Sequence, residues 1–284
     1  MAITTGASIG DVVDTVIAEA RRTQMHRTVM EPLVRTYRVS RGAGDTLEIP
    51  KFGTVTAGAL TEGVDMTNPQ TLATTKVTIT PAEVGAQIVI TDRALRTARE
   101  DMARAAGRVL GDAVATKLDA DLLGLLDGFG TSLGGAGESI TMGHLRAAVS
   151  RLHAAAEPAP IPYFAVLHPY QAHDLAADIS PIGTYPVPSG ISQTVLENHW
   201  VGRAFGVDLF QAGNLSVDAE DDAKGGVFSR EALVLVIFKD WAVERQRDAS
   251  LRAWELNVVA DYGYAEYQDA WGVEMYFDAA APTG

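Results

Sequence analysis

The sequence predicts an α+β protein, on three observations. Apolar residues alternate over residues 45–91, which is a strand pattern. They keep a helical period over 92–127, and beyond residue 163 short alternating stretches interleave with helical ones. The chain has 284 residues, 47% of them hydrophobic, enough for two compact domains or one elongated one. Cysteine is absent, so disulfides and thiolate chemistry are excluded, and stability rests on packing or on association with other chains. No apolar run reaches membrane-spanning length, and the N-terminus lacks the charged start, apolar core and cleavage site of a secretory signal. The formal charge of −13 argues against a protein that grips nucleic acid, because phosphate binding needs a concentrated positive face; it is compatible with a wall that encloses polyanion without binding it.

A first helix is predicted over 8–27, with Ile9, Val12, Val13, Val16 and Ile17 on one side and Arg21, Arg22, His26 and Arg27 at its C-terminal end, where positive charge complements the helix dipole. In the alternating region, Leu47 and Ile49 lie on the outgoing arm and Val77, Ile79, Val84, Ile88 and Ile90 on the return, giving two long strands. Between them, residues 54–75 are rich in Thr, Gly and Ala, with Asn68-Pro69 as a turn signal and few large apolar side chains. That tip has no core of its own. Structureless loops beyond about 15 residues are uncommon unless something orders them, and the expected partner is a neighbouring subunit.

Residues 92–127 form the predicted spine. Leu95, Ala98, Met102, Ala106, Val109, Ala113 and Leu118 trace an apolar stripe that Leu122, Leu125 and Leu126 extend. A single helix of roughly 35 residues would be ~50 Å long. Thr91 and Asp92 cap its start, and Glu100 and Asp101 offer a second start, so one long helix and a short helix followed by a long one are both open. Asp127-Gly128-Phe129-Gly130 marks the end. Gly107 and Gly111 leave a notch for close packing, while Arg104, Arg108, Asp112 and Lys117 exclude a bilayer.

Residues 131–139 are expected to be a glycine-rich linker; Gly134-Gly135-Ala136-Gly137 lacks the Lys-Ser/Thr pair and the preceding strand of a phosphate loop. A helix over 141–156 buries Leu145, Val149 and Leu152, and the proline run at 158–162 stops it at a domain boundary. A strand at 163–167, helices at 169–177 and 194–200 and a strand at 206–210 follow. Asp218, Glu220, Asp221 and Asp222 make an acidic loop closed by Gly225-Gly226, and 232–238 is an apolar buried strand. Arg245, Arg247 and Arg252, interspersed with Glu244, Asp248 and Glu255, read as a salt-bridged exposed rim. Trp254, Leu256, Val258 and Ala260 lie on a strand that Tyr262-Gly263-Tyr264 turns, and Trp271, Val273, Met275 and Phe277 form the last one.

The residues offer little for chemistry. Gly6-Ala7-Ser8-Ile9-Gly10 matches a serine-hydrolase elbow in letters, but that elbow needs a buried strand before it. The acidic loop lacks the sixth-position glycine and twelfth-position glutamate of a calcium loop. His168 and His173, five apart across a proline, share no helical face, and Asp119 and Asp121 point apart inside the spine. No catalytic, cofactor-binding or metal residue is assigned, and no cofactor is expected.

An N-terminal arm, a long extended hairpin, a spine helix, an α+β domain and closing strands, in that order, resemble the major capsid proteins of tailed bacteriophages, which have the HK97-like fold. The resemblance covers nearly the whole chain. It is carried by Ile88-Val89-Ile90-Thr91-Asp92 leading into the spine, Leu118-Asp119-Ala120-Asp121-Leu122-Leu123 and Asp127-Gly128 leaving it, and Val166-Leu167-His168-Pro169 as a strand-to-helix turn. Gly202-Arg203-Ala204-Phe205-Gly206-Val207, Asp261-Tyr262-Gly263 and Asp269-Ala270-Trp271-Gly272-Val273 complete it.

The resemblance implies residues 1–44 as the arm, 45–91 as an E-loop lying over a neighbour, 92–162 as a peripheral domain with the spine, 163–249 as an axial domain, and 250–284 as closing strands shared with the peripheral domain. It implies a non-enzymatic shell subunit, made in the bacterial host cytoplasm and located in the virion, assembling as hexamers and pentamers into an icosahedral head around double-stranded DNA without sequence specificity. A portal protein is an implied partner, a decoration protein an optional one, and a membrane is not. Because the arm starts at Met1, with no removable scaffolding segment before it, a separate scaffolding protein is expected. The interface candidates are Lys51, Glu62, Asp65, Asn68 and Lys76 on the hairpin and Arg245, Arg247 and Arg252 on the rim. Lys51 and Lys76 have no identifiable Asn and acid partners, so covalent crosslinking is not expected. Two other readings are an encapsulin-like shell holding protein cargo, on the same fold, and a hydrolase using Ser8.

Overall fold

The computed structural model describes residues 28–39, 46–63, 65, 69–97, 102–179 and 202–282; the expected helices at 8–27 and 194–200, the serine elbow and Asn68 lie outside them. The alternating stretches build three sheets. One holds β1 (Arg35–Arg38), β10 (Leu233–Asp248), β11 (Ala253–Glu266) and β4 (Ala82–Thr91), in that order. A second runs β5 (Ser132–Gly134), β12 (Gly272–Asp278), β9 (Asp222–Ser229), β6 (Tyr163–Leu167), β8 (Val207–Gln211) and β7 (Arg203–Ala204). The third is the hairpin of β2 (Leu47–Phe52) and β3 (Thr74–Ile79). The described helices are α1 (Asp92–Thr97), α2 (Met102–Leu123), α3 (Met142–Ala154) and α4 (Pro169–Ile179).

Of the spine the structure describes α1 and α2, the latter with 22 residues, ~33 Å at 1.5 Å per residue, continuing as a 3₁₀ turn over Gly124–Gly128; residues 98–101, where the sequence offers a second start, lie outside the described residues. Ala106, Leu118, Leu122 and Leu126 of the expected stripe are buried, but in its middle Leu110 and Val114 take the places expected for Val109 and Ala113. Ala106, Leu110 and Val114 pack against Ile90, Leu256 and Val258 of the four-stranded sheet, whereas Val109 is 59% exposed and Ala113 is exposed. An alanine-rich helix presents apolar residues on several faces, and the large side chains Leu110, Val114, Leu118 and Leu122 select the buried one. Gly107 and Gly111 are both buried, as a packing notch requires.

Four further expectations are corrected. The return arm of the hairpin is two strands, because Pro81 has no N–H to donate to a ladder; β3 pairs with β2, and β4 turns away to pair with β11. The linker at 131–139 contains β5, which runs parallel to β12. The apolar strand at 232–238 continues to Asp248, with irregular register between Ile237 and Ala242 that bends it, so Arg245 and Arg247 lie on its far half. The two glycine signals read as turns are inside strands. A Cβ at Gly225 in β9 would lie 2.5 Å from the Val166 carbonyl oxygen, and one at Gly263 in β11 would lie 2.6 Å from Ile79 Cγ2. Both glycines let a neighbouring chain segment approach closely.

Helix α3 begins at Thr141, whose side chain accepts the His144 N–H while His144 Nδ1 accepts the Thr141 N–H, a capping box with histidine in the usual Glu position. Its Leu145 and Leu152 pack on Val227, Val273, Met275 and Phe277 of the six-stranded sheet. Substituting Gly263→Ala is expected to cost about 1–3 kcal/mol, because the new methyl meets Ile79 and the Thr80 carbonyl where the hairpin joins β11; urea unfolding of the purified subunit measures it.

Candidate assembly surfaces

The hairpin divides into a packed base and an unpacked tip. Leu47, Ile49, Val77 and Ile79 face Val234 and Val236 of β10, with Tyr37, Phe238 and Tyr267 closing the cluster. The Tyr267 hydroxyl donates to the Pro50 carbonyl at 3.3 Å. Past Phe52 the arms stay together through Gly53 N–H to Ala73 O at 2.8 Å and through Gln70, which accepts from Thr56 N–H at 2.8 Å and donates back to its carbonyl. Phe52, Val55, Leu60 and Leu72 remain 55–70% exposed.

Each hairpin candidate has a distinct setting. Lys76 pairs with Glu48 at 2.5 Å across the two arms. Lys51, half-buried, borders a crevice of about 240 Å³ between the hairpin and the body, lined also by Phe52, Ala156, Glu157 and Gln268. Glu62 and Asp65 are exposed at the tip.

The rim carries ion pairs, but not among the charges that stand together in its sequence. Successive residues of a strand face opposite sides, so Arg245 and Arg247 point away from Glu244 and Asp248 on the same strand, and Glu255 lies opposite Gln246. Arg247 instead reaches Asp92 at the start of α1 (2.7 Å), donates to the Ala253 carbonyl and stacks over Trp254. Glu244 pairs with Lys239, and Asp248 accepts N–H groups of Ser250 and Leu251 in the turn that Arg252 closes at φ 50°. Arg245 is exposed and forms no ion pair with a described residue.

The two spine carboxylates, read only as not catalytic, hold the fold together. Asp119 is fully buried and accepts the N–H groups of Val29 (2.9 Å) and Met30 (3.1 Å), fixing the chain that enters from the N-terminal side. Burial pushes its carboxyl above the ordinary 3.8, and the two backbone donors pull the other way. Asp121 accepts the Tyr262 hydroxyl at 2.6 Å and the Lys117 ammonium at 2.7 Å, so the spine is tied to β11; burial, reinforced by that carboxylate, pushes the Tyr262 phenol up. The available signal was an acid beside the buried positions Leu118 and Leu122.

The remaining polar groups serve local structure. His168 is buried, its Nδ1 accepts the Tyr170 N–H, and burial lowers its pKa, while His173 is exposed on α4. In the acidic loop Asp218 accepts the N–H groups of Glu220 and Asp222, the latter bond first in holding its carboxyl below the usual range. Among the described residues no three His, Asp or Glu side chains gather as a metal site, and no helix is long and apolar enough to cross a membrane.

A spine, a projecting hairpin and two packed sheets define a structural shell subunit of HK97-like fold. The chain belongs to the phage capsid family, whose model matches residues 12–173, and with it to the tailed-phage major capsid proteins of the virion. Solved structures agree in fold. A chain from Mycobacterium phage Che8 is 19% identical, with a TM-score of 0.69 over 87% of this chain and 90% of its own. The head structure of Helicobacter pylori bacteriophage KHP40 gives 13% identity and 0.70 over 89% and 91%. A virus-like particle from Pyrococcus furiosus gives 9% and 0.62 over 93% and 98%. No curated protein sequence matches.

Replacing Asp119 with Asn is expected to cost about 1–3 kcal/mol at neutral pH, since the amide nitrogen that replaces one carboxylate oxygen is itself a donor and would face the backbone N–H that the oxygen accepts. Because the folded-state pKa is raised, the folded chain holds this proton more tightly than the unfolded one. That contribution is full below the ordinary 3.8 and is lost as pH rises through the folded value. Chemical denaturation across the acidic range should show a shallower pH slope in the variant.

Proposed function

We propose that this major capsid protein works by association alone, assembling as hexamers and pentamers that close an icosahedral head around double-stranded DNA. The observation that carries the reading is the hairpin tip, whose Phe52, Val55, Leu60 and Leu72 stay exposed although its base is packed. Ordering a segment costs about 1–2 kcal/mol per residue in backbone entropy, and a tip without a core recovers that only against another chain. On this reading residues 1–44 are the arm, 45–91 the E-loop over a neighbour, 92–162 the peripheral domain, 163–249 the axial domain and 250–284 the closing strands. Lys51, Glu62, Asp65, Asn68 and Lys76 then lie on the hairpin contact, with Arg245 and Arg252 at the rim; Arg247 serves within the subunit.

The charge of −13 favours a wall that repels packed DNA and holds it without sequence preference. A separate scaffolding protein and a portal complete the assembly, a decoration protein is an optional addition, and synthesis takes place in the bacterial host cytoplasm. The encapsulin-like reading shares the fold, but the match to the phage capsid family favours the phage head. Deleting residues 56–72 is expected to leave a folded subunit with near-normal circular dichroism that yields no closed shells. Electron microscopy with light scattering decides the matter, and normal shells from the deletion would sink this role for the hairpin.

A further inference from the structure

The six-stranded sheet ends in two surfaces of opposite character. At one end β6 and β8 start side by side, Tyr163 opposite Val207, and β9 finishes at Ser229. Two residues ahead of those starts stand Ile161, 73% exposed, and Phe205, 51% exposed. Beside them Arg230, whose N–H donates to the Pro162 carbonyl at 3.2 Å, carries an exposed guanidinium with no ion pair to a described residue.

Phe205 is anomalous in a second respect. With Gly206 it forms the two-residue turn between β7 and β8, and both residues have positive φ, 52° and 85°. Such turns take Asn, Asp or Gly at the first position, because a larger side chain is strained in the left-handed region. The ring belongs to none of the hydrophobic clusters of the described residues, so the strain is not offset by packing inside the subunit.

At the opposite end, the loop between β8 and β9 presents Val217, 38% exposed, with Glu220 and Asp221, both exposed. The Asp218 carboxylate holds this loop by accepting the N–H groups of Glu220 and Asp222. Apolar and cationic at one end, apolar and anionic at the other, one subunit carries both halves of a head-to-tail contact. Such heterologous contacts close into rings when the rotation permits. We propose that the Ile161–Phe205–Arg230 surface of one subunit receives the Val217–Glu220–Asp221 loop of a second copy. The proposal builds on the shell reading by naming a contact separate from the hairpin.

The test uses the full-length chain, with sedimentation velocity reading subunit association and electron microscopy reading shells. Phe205→Asn, which suits the left-handed turn, should melt at or above the wild-type temperature yet associate about tenfold more weakly, as loss of an aromatic anchor predicts. Arg230→Glu should weaken association to a similar degree, and Glu220→Arg added to it should restore association. Wild-type association by either single variant overturns the proposal. So does failure of the double variant to recover, or recovery by Glu62→Arg on the hairpin in place of Glu220→Arg. Wild-type rings that never close into shells would count against the capsid reading and leave this contact standing, whereas a wild-type monomer at all concentrations overturns both.

Discussion

The antiparallel pairing of Leu233–Asp248 with Ala253–Glu266 is the constraint on which the other parts depend. Its first stretch supplies Val234 and Val236, on which the hairpin base is seated. Its far stretch supplies Leu256 and Val258 to the spine and accepts β4 along its other edge. A two-stranded hairpin alone is marginal in water, so β2 and β3 owe their geometry to this platform. The irregular register between Ile237 and Ala242 allows one strand to serve both sites, because a bulge bends and twists the strand while the pairing continues beyond it.

Two carboxylates then lock the spine to its surroundings. Asp119 and Asp121 are two residues apart and so project in different directions, one toward the incoming chain at Val29 and Met30, the other toward Tyr262 of β11. A buried carboxylate is costly unless its lone pairs are satisfied; Asp119 meets two backbone N–H groups, and Asp121, half-buried at the edge of the core, a phenol and an ammonium. Apolar contacts slide with little penalty, whereas such bonds are lost on a small shift. The pair therefore fixes the register of α2 against β11 and the entering chain more sharply than Leu110, Val114 and Leu118 do.

What the sequence made legible follows from periodicity. The outgoing hairpin arm, the spine, α3, α4 and β6 are visible, because each repeats an apolar pattern over several residues with a cap or proline at its end, whereas the return arm reads as one strand although Pro81 divides it into β3 and β4. The misread places are those where a neighbour distant in sequence decides. Gly225 and Gly263 look like turns until the Val166 carbonyl and Ile79 are seen against them, and Val109 looks buried until the sheet is known to meet Leu110. The rim's charges stand together in sequence, yet its ion pairs reach elsewhere: Arg247 to Asp92, far along the chain, and Glu244 to Lys239. Glu62, Asp65, Lys76, Arg245 and Arg252 could be read as exposed and charged; the partners of such residues within the subunit could not.

The charge distribution bears on how such a subunit associates. A net −13 makes any two copies repel at long range, and screening with a Debye length of about 8 Å at physiological salt confines that repulsion to near-contact distances. Several basic side chains are neutralised internally: Lys76 by Glu48, Lys117 by Asp121, Lys224 by Asp127 and Arg247 by Asp92. Attraction between copies then comes from short-range apolar burial and from cations left outward, among the described residues Arg230 and Arg245. The exposed apolar residues of the hairpin tip and of the sheet ends are of that kind. Repulsion over the last few ångströms, overcome only where apolar and charged groups match, favours correctable, weak encounters over irreversible clumping, which is what closing a regular shell from many identical copies demands.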